Sequence, residues 1–206
     1  MENTSISLKN VSFAYKSDYV LNDINITLSS QGICIIYGDN GAGKTTLLRL
    51  MAGFIVPNLG SIKYNKDLKQ SFIFQKPVLL RRSVRENLQH ALIINNKLSK
   101  SEAIKHADNT LSRYGLSNIS KEFTFNISGG QRQMVSILRA LITKPNIIYC
   151  DEPTSNLDSK NKLLVEEILA EESKKSRIVL ITQDQSLSNK TADGVYILKD
   201  TELKKT

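Results

Sequence analysis

The sequence of 206 residues has no apolar run long enough to cross a membrane. A spanning helix needs about 20 consecutive apolar residues, and runs such as residues 33–37 and 178–181 fall far short of that length. We therefore expect no membrane-spanning segment. The first ten residues, MENTSISLKN, have neither the basic start nor the apolar segment of a signal peptide, so we expect the chain to stay in the cytosol.

Cysteine is scarce, since only Cys34 and Cys150 are present. Both lie inside apolar, strand-like runs, where a reduced cysteine behaves as a small hydrophobic residue. Two such residues make no disulfide framework, so the cysteine content fits a reducing compartment.

The net charge of +8 and the pI near 9.4 would suit nucleic acid, anionic lipid or another polyanion. However, the lysines are scattered, and no basic stripe interleaved with aromatic residues indicates base stacking. We therefore do not expect nucleic-acid binding. The plainer interpretation is a solvated basic surface, which would also suit a position near a membrane.

The pattern of apolar residues predicts an α/β fold. Residues 11–28 alternate as in antiparallel strands, and residues 33–37 form a continuous apolar run typical of a parallel strand buried on both faces. Strand-like residues 146–150 and 177–182 flank a helical stretch and complete a mainly parallel sheet. Helical spacing in the middle of the chain predicts an inserted α-helical lobe at residues 76–128, so that residues 1–75 and 129–206 form one α/β core.

The segment after the buried strand fits the phosphate-loop pattern G-x-x-x-x-G-K-[ST] at every fixed position. Its glycines let backbone N–H groups point at phosphate oxygens, and the helix that follows adds its positive end. Lys44 would neutralise the β and γ phosphates, and Thr45 would offer its hydroxyl to Mg²⁺. The alternative is a flexible loop between a strand and a helix. The predicted phosphate-binding residues are Gly38, Asn40, Gly41, Ala42, Gly43, Lys44, Thr45 and Thr46.

Two adjacent carboxylates end the strand at residues 146–150. Asp151 would hold Mg²⁺ through its water shell, and Glu152 would orient and deprotonate the attacking water. An acidic turn before Pro153 is the plain alternative, and the phosphate loop favours the functional interpretation.

A second glycine motif, Ser128-Gly129-Gly130-Gln131, precedes another helical pattern. Ser128 and Gln131 have capping-box spacing, so the motif could simply start a helix. A cap does not need two glycines, however. Glycines at a helix amino terminus allow a phosphate to approach closely, which makes a second anion cradle the functional alternative.

With Ile127 in front, this motif resembles the signature of ABC-transporter ATPases, usually L-S-G-G-Q, and the family's other motifs follow in the expected order. Tyr15 matches the aromatic residue that stacks on adenine. Gln75 matches the glutamine that reaches the nucleotide and its metal ion and links them to the membrane partner. Residues 155–158, SNLD, resemble the loop that meets the opposing subunit, and they place Asp158 at the nucleotide. The resemblance implies a P-loop NTPase core.

The resemblance also implies a mechanism that needs two subunits, as a homodimer or as a heterodimer with a second ABC ATPase. ATP held by residues 38–46 of one subunit would be covered by residues 128–131 of the other. Mg²⁺ would be held by Thr45, Gln75 and Asp151, and hydrolysis would occur at Glu152. The opening and closing of the pair would act on separate transmembrane permease subunits, with a substrate-binding protein as a further partner. The chain would then be cytoplasmic and peripheral on the inner face of the membrane.

One position departs from the family. The strand after the acidic pair normally ends in Thr-His-Asp, with the histidine at the γ-phosphate, whereas this chain has Thr182-Gln183-Asp184. Glutamine can donate a hydrogen bond to a phosphate oxygen but cannot carry a proton near neutral pH. Either Gln183 replaces the contact in a working catalytic site with Lys44 and Glu152, or the site binds ATP and hydrolyses it weakly. The intact Lys44, Asp151 and Glu152 favour the first hypothesis.

Other functions remain as alternatives at the level of sequence. A soluble ABC ATPase in DNA repair or translation typically has tandem cassettes or a long coiled coil between the motifs, and a phosphate-loop kinase gives no reason for residues 128–131. The transported substrate is hardly visible. Residues 74–84 resemble the corresponding run in importers of tungstate, molybdate or phosphate, and heme- or lipoprotein-export systems use similarly short subunits.

Overall fold

The computed structural model describes residues 4–155, 157–184 and 192–206. Among these residues, no helix is both long and apolar enough to pass through a membrane. The elements in chain order are β1 (Thr4–Tyr15), β2 (Asp18–Ser29), β3 (Gly32–Tyr37), α1 (Lys44–Met51), β4 (Leu59–Tyr64), β5 (Gln70–Ile73), α2 (Val84–Asn96), α3 (Lys100–Arg113), a short 3-10 helix (Ser117–Ile119), α4 (Gly129–Leu141), β6 (Ile147–Asp151), α5 (Ser159–Glu172), β7 (Arg177–Thr182), β8 (Ala192–Lys199) and β9 (Glu202–Lys205).

The chain divides into two compact units, which contain residues 1–72, 146–152 and 166–206 in the first and residues 73–145 and 153–165 in the second. The second unit includes all of the lobe predicted at residues 76–128. It also takes in α4 and the start of α5, which lie in the range 129–206 predicted for the core. The backbone therefore passes from one unit to the other between Glu152 and Pro153.

The first unit contains two sheets. An antiparallel sheet has the order β2-β1-β4, and a larger sheet has the order β5-β6-β7-β3-β8-β9. Within the larger sheet, β3 pairs in parallel with β7 and β8, and β6 pairs in parallel with β7. Because parallel strands end at the same edge, the residues after β3, β6 and β7 are brought together there.

A single core joins both sheets of the first unit with α1. It combines Val11 and Leu21 of the antiparallel sheet, Leu47 of α1, and Ile36 and Val179 of the parallel sheet. Both cysteines are buried and free. Burial raises the pKa of the Cys34 thiol to about 12 and also raises that of Cys150, so both thiols stay protonated at neutral pH.

The second unit is mainly helical. Ser83 and Ser99 cap α2 and α3, and each forms a complete capping box with the glutamate three residues later. These caps satisfy backbone N–H groups that would otherwise have no partner at the helix starts. The helical character predicted for residues 76–128 is present in α2 and α3, while the strands β4, β5, β8 and β9 were not predicted from the sequence.

Candidate functional site

The phosphate-loop segment lies between β3 and α1, as predicted. Gly41 and Gly43 have positive φ angles of 82° and 97°, which only glycine adopts readily. A Cβ atom at Gly38 would lie 2.6 Å from the Leu198 carbonyl, and one at Gly43 would lie 2.8 Å from the Val20 side chain. The backbone of this loop therefore depends on glycine at three positions, including two that β8 and β2 contact closely.

The ammonium group of Lys44 is held inside the loop. It donates hydrogen bonds of 2.7 Å to the Gly38 carbonyl and 2.9 Å to the Asp39 carbonyl. The side chain is buried, so these carbonyls replace the water that its charge has lost. Lys44 is thus a cation that the loop itself positions at the end of β3.

The carboxylate of Asp151 faces the start of α1. Thr45 Oγ1 donates to Asp151 Oδ1 over 3.3 Å, and the carboxylate residue is only 8% exposed. Burial raises the pKa of Asp151, while the Thr45 hydrogen bond and the charges of Arg49 and Lys44 offset part of that rise. Arg49 follows Thr45 by one helical turn and so lies on the same face of α1. Arg49 was not predicted as a site residue, although its spacing from Thr45 is visible in the sequence.

Glu152 has an unusual backbone conformation. Its φ of 44° is in the left-handed region, which costs a residue with a side chain on the order of 1 kcal/mol. Its N–H donates to the Ile181 carbonyl at 3.0 Å, and the residue is 8% exposed. The end of β7 therefore fixes the direction in which the chain leaves β6.

Gln183 follows β7 directly and is exposed. It lines a small pocket of about 100 Å³ together with residues that include Tyr37, Gly38 and Asp39. The structure therefore places Gln183 beside the first residues of the phosphate loop.

Tyr15 is 53% exposed at the end of β1. Its ring packs edge-on against Phe13 with 4.9 Å between centroids. It pairs with Asp18 in the hairpin that continues to Val20, the residue in contact with Gly43. An exposed aromatic ring is thus available on the hairpin that touches the phosphate loop.

The second glycine motif lies in the second unit, where Ser128 caps α4. Gln131 N–H donates to Ser128 Oγ at 3.2 Å, and Ser128 N–H donates to Gln131 Oε1 at 2.9 Å. A Cβ atom at Gly129 would meet nothing closer than 3.9 Å, and one at Gly130 nothing closer than 3.6 Å. Neither glycine has a positive φ. The cap explains Ser128 and Gln131, but packing within this chain does not explain the glycines.

The remaining predicted residues also belong to the second unit. Gln75 is exposed shortly after β5. Asp158 is exposed and accepts hydrogen bonds from the Asn161 backbone and side chain at 2.9 and 2.7 Å, which lower the pKa of its carboxyl. Asn156, in the same predicted loop, lies outside the described residues.

A glycine loop with an enclosed lysine, a threonine bonded to a strand-end aspartate and a neighbouring glutamate define the phosphate-loop class of nucleotide-binding proteins. The family model described as ABC transporter matches residues 21–155. The chain therefore belongs to the ABC transporter family, as an ATP-binding subunit with ATPase activity.

Curated relatives and solved structures agree with this assignment. The lipoprotein-releasing system ATP-binding protein LolD of Francisella tularensis subsp. holarctica is 34% identical, over 98% of this chain and 97% of its own length. The tungstate uptake system ATP-binding protein TupC of Peptoclostridium acidaminophilum is 30% identical, over 94% of each protein. These names agree on the ATP-binding role and differ in the substrate.

A dimeric structure of the ATP-binding cassette MJ0796, in a post-hydrolysis state with ADP and Pi, has a TM-score of 0.85 and 28% sequence identity. The match covers 97% of this chain and 98% of that one. The predicted α/β fold with a mainly parallel sheet is confirmed by this likeness.

Proposed function

We propose that the chain binds ATP with Mg²⁺ at the end of β3 and hydrolyses it with Glu152 as the base. The hydrogen bond between Thr45 and Asp151 carries this proposal, because it brings two hard oxygen donors together beside the buried Lys44. Such donors fit Mg²⁺, which is usually held by one or two protein groups, phosphate oxygens and water. When bound, Mg²⁺ would neutralise charge on the β and γ phosphates. Gln75 would complete the set of metal contacts.

The residues of the phosphate loop bind and orient the triphosphate. Backbone N–H groups of residues 38–43 and the start of α1 favour negative charge. To reach the phosphates, the Lys44 ammonium exchanges its bonds to the Gly38 and Asp39 carbonyls for phosphate oxygens. Thr46 extends the cradle, and Tyr15 offers its exposed ring to the adenine.

Glu152 deprotonates the water that attacks the γ-phosphate. The Ile181 carbonyl and the unusual φ angle fix its backbone, so the carboxylate needs little reorganisation before reaction. Gln183 donates a side-chain N–H to the γ-phosphate from its place beside Gly38 and Asp39. We favour a working ATPase in which Gln183 supplies a neutral contact, over a chain that mainly holds ATP.

Two copies, or this chain and a second ABC ATPase, close around ATP. The open space around Gly129 supports this proposal, because the glycine allows a phosphate of the partner's nucleotide to approach the start of α4. Asp158 would lie at the same interface. The dimeric state of the similar cassette MJ0796 fits this arrangement.

The second unit binds the permease and places the chain on the inner face of the membrane. It carries 14 Lys and Arg residues against five Asp and Glu, whereas the first unit carries 14 against 15. A surface hollow of about 580 Å³ in this unit is lined by Pro77, Leu79, Arg81, Thr124, Phe125 and Arg132. Phe123 and Phe125 stack with centroids 5.4 Å apart and are largely exposed. An exposed aromatic stack beside cationic side chains is typical of a binding surface.

The proposal is tested by comparing steady-state ATP hydrolysis by the purified wild-type chain and by Glu152→Gln. The matched control is Glu167→Gln, which alters an exposed carboxylate on α5. We expect Glu152→Gln to lower kcat by about 10²-fold or more, in the range found when a general base is lost. Phosphate release by the wild type should also stop with EDTA. An unchanged rate in Glu152→Gln would overturn the catalytic assignment.

A further inference from the structure

Gln133 is a buried polar residue for which neither the phosphate loop nor the signature motif accounts. It lies on α4, two residues after Gln131, and is only 3% exposed. Its Nε2 donates a hydrogen bond of 3.0 Å to the Pro153 carbonyl, while its Oε1 is buried without a hydrogen-bond partner among the described residues. The amide thus makes one directed bond and leaves its other polar atom unsatisfied.

The acceptor of that bond occupies a special place in the chain. Pro153 directly follows Glu152, and the proline ring fixes φ at that position. Glu152 is anchored on its other side through its N–H bond to Ile181 and has a positive φ. Glu152 therefore lies between two hydrogen bonds that fix the main chain: its own N–H donates to the Ile181 carbonyl, and the Gln133 side chain donates to the carbonyl of Pro153.

We propose that Gln133 is a positioning residue, which holds the carbonyl of Pro153, the residue after Glu152, and links it to the helix that carries the signature motif. This inference rests on the proposed role of Glu152 as the base. Ser128 caps α4, and the same helix contains Gln131 and Gln133. A nucleotide that contacts the start of α4 therefore acts on the helix whose Gln133 side chain is hydrogen-bonded to the Pro153 carbonyl. The amide aligns the glutamate with its water when the signature motif is engaged.

The unsatisfied oxygen argues against a purely stabilising role. A buried carbonyl oxygen without a partner costs stability, whereas an apolar side chain of similar length, such as methionine, would fill the same volume without that cost. The chain supplies a control with the same chemistry in the same unit. Asn96 donates through Nδ2 to the Thr143 carbonyl at 3.3 Å, and its Oδ1 is also buried without a partner among the described residues.

The test compares Gln133→Met with Asn96→Leu in steady-state hydrolysis of ATP by the full chain. We expect Gln133→Met to lower kcat by about 2- to 30-fold, the range for couplings carried by a hydrogen-bonded network, with little change in the KM for ATP or in Tm. Asn96→Leu should leave kcat within about twofold of wild type. An unchanged kcat in Gln133→Met, or an equal loss in both variants, would overturn the proposal.

Gln133→Glu supplies a second readout that a purely structural role would not change. A protonated carboxyl can donate to the Pro153 carbonyl, whereas a carboxylate only accepts and repels it. The kcat of Gln133→Glu relative to wild type should therefore rise as the pH falls, while that of Gln133→Met stays flat. A flat ratio for both variants would contradict the donor role. Glu152→Gln distinguishes a failure of this inference from a failure of the proposed function. If hydrolysis were unchanged in Glu152→Gln, the proposed function itself would fail; if it fell in Glu152→Gln but not in Gln133→Met, only the role of Gln133 would fail.

Discussion

Thr45 and Asp151 lie 106 positions apart in the sequence, yet the threonine hydroxyl donates a hydrogen bond of 3.3 Å to the aspartate carboxylate. The contact forms because β6 and β3 are both parallel neighbours of β7, so that their carboxyl ends reach the same edge of the sheet. It keeps a carboxylate charge in a largely buried place next to Lys44. Burial raises the pKa of this carboxyl, so holding it there as a carboxylate costs stability in the nucleotide-free protein.

Replacing Asp151 with asparagine should separate activity from stability. We expect Mg²⁺-dependent hydrolysis to fall by about 10²-fold or more, because a preorganised charged partner is lost. In the absence of nucleotide and Mg²⁺, however, the variant should be more stable at pH 7. An uncharged amide avoids the cost of burying a negative charge, and this cost is what raises the pKa of Asp151. A gain of about 1 kcal/mol would raise Tm by about 2–4 °C.

The direction of the Asp151 pKa shift determines how the stability gain of Asp151→Asn depends on pH. Burial raises the folded-state pKa of Asp151 above its ordinary value of 3.8, so folding favours the protonated carboxyl. The stability from that preference is fully present below pH 3.8 and is lost as the pH rises through the folded-state pKa. The Tm advantage of Asp151→Asn should therefore grow from acid to neutral pH, as measured by thermal denaturation. An advantage that is constant with pH would contradict the desolvation argument.

Gln183 should contribute to catalysis without adding a titration near neutral pH. We expect Gln183→Ala to lower kcat by about 10²-fold, because the site would lose a hydrogen-bond donor beside the γ-phosphate. Gln183→His should retain or raise kcat and should acquire a pH dependence near 6.5, the usual pKa of histidine. The pH–rate profiles of the two variants and the wild type give the measurement.

The control for Gln183 is Gln70→Ala, which alters an exposed glutamine at the start of β5. Its kcat should match that of the wild type. If Gln183→Ala also left kcat unchanged, Gln183 would make no catalytic contact, and hydrolysis would not depend on this side chain.

The phosphate loop and the acidic pair can be recognised in the sequence because their motifs are local and their chemistry depends on particular residue types. The phosphate loop and the acidic pair both follow apolar strands that bury on both faces, and such strands are easy to recognise. By contrast, β4 (Leu59–Tyr64) is mostly exposed and polar, so its strand character comes from pairing with β1 and not from an apolar pattern.

Contacts between distant segments were not predictable in the same way. The approach of Val20 to Gly43 depends on how the β1–β2 hairpin packs, and the bond from Gln133 to Pro153 depends on the path of α4. Neither leaves a periodic signal in the sequence. The extent of the second unit was missed for the same reason, since compactness depends on long-range contacts.

The aromatic stack of the second unit should be needed for membrane association and not for folding. Phe125 is 66% exposed, so Phe125→Asp removes little buried apolar area and should leave Tm and basal hydrolysis nearly unchanged. Aromatic anchors of interfaces often contribute more than 2 kcal/mol to binding, so affinity for the permease should fall by more than about tenfold. The measurement is the fraction of the chain that sediments with membranes of the source cell.

The matched control is Val56→Asp, which places the same charge at an exposed apolar residue of the first unit. This variant should sediment like the wild type. Equal loss in both variants, or no loss in Phe125→Asp, would exclude the aromatic stack as the permease-binding surface.

Gly129 and Gly115 should respond in opposite ways to the same substitution. Gly129 has open space around its Cα and no positive φ, so Gly129→Ala fits the fold and should leave Tm unchanged or slightly raised. Gly115 has a φ of 70° after α3, so Gly115→Ala should cost about 1 kcal/mol of stability.

If the signature glycine makes room for the partner's ATP, Gly129→Ala should lower kcat by about tenfold or more and weaken ATP-dependent dimerisation, while Gly115→Ala should keep both. Thermal denaturation measures Tm, and steady-state hydrolysis measures kcat. Size-exclusion chromatography with ATP measures dimerisation, with each glycine substitution combined with Glu152→Gln. A Gly129→Ala variant with normal kcat and dimerisation would show that the glycine serves only the helix start, because the extra methyl group could then be accommodated in the closed pair as easily as it is in the single chain.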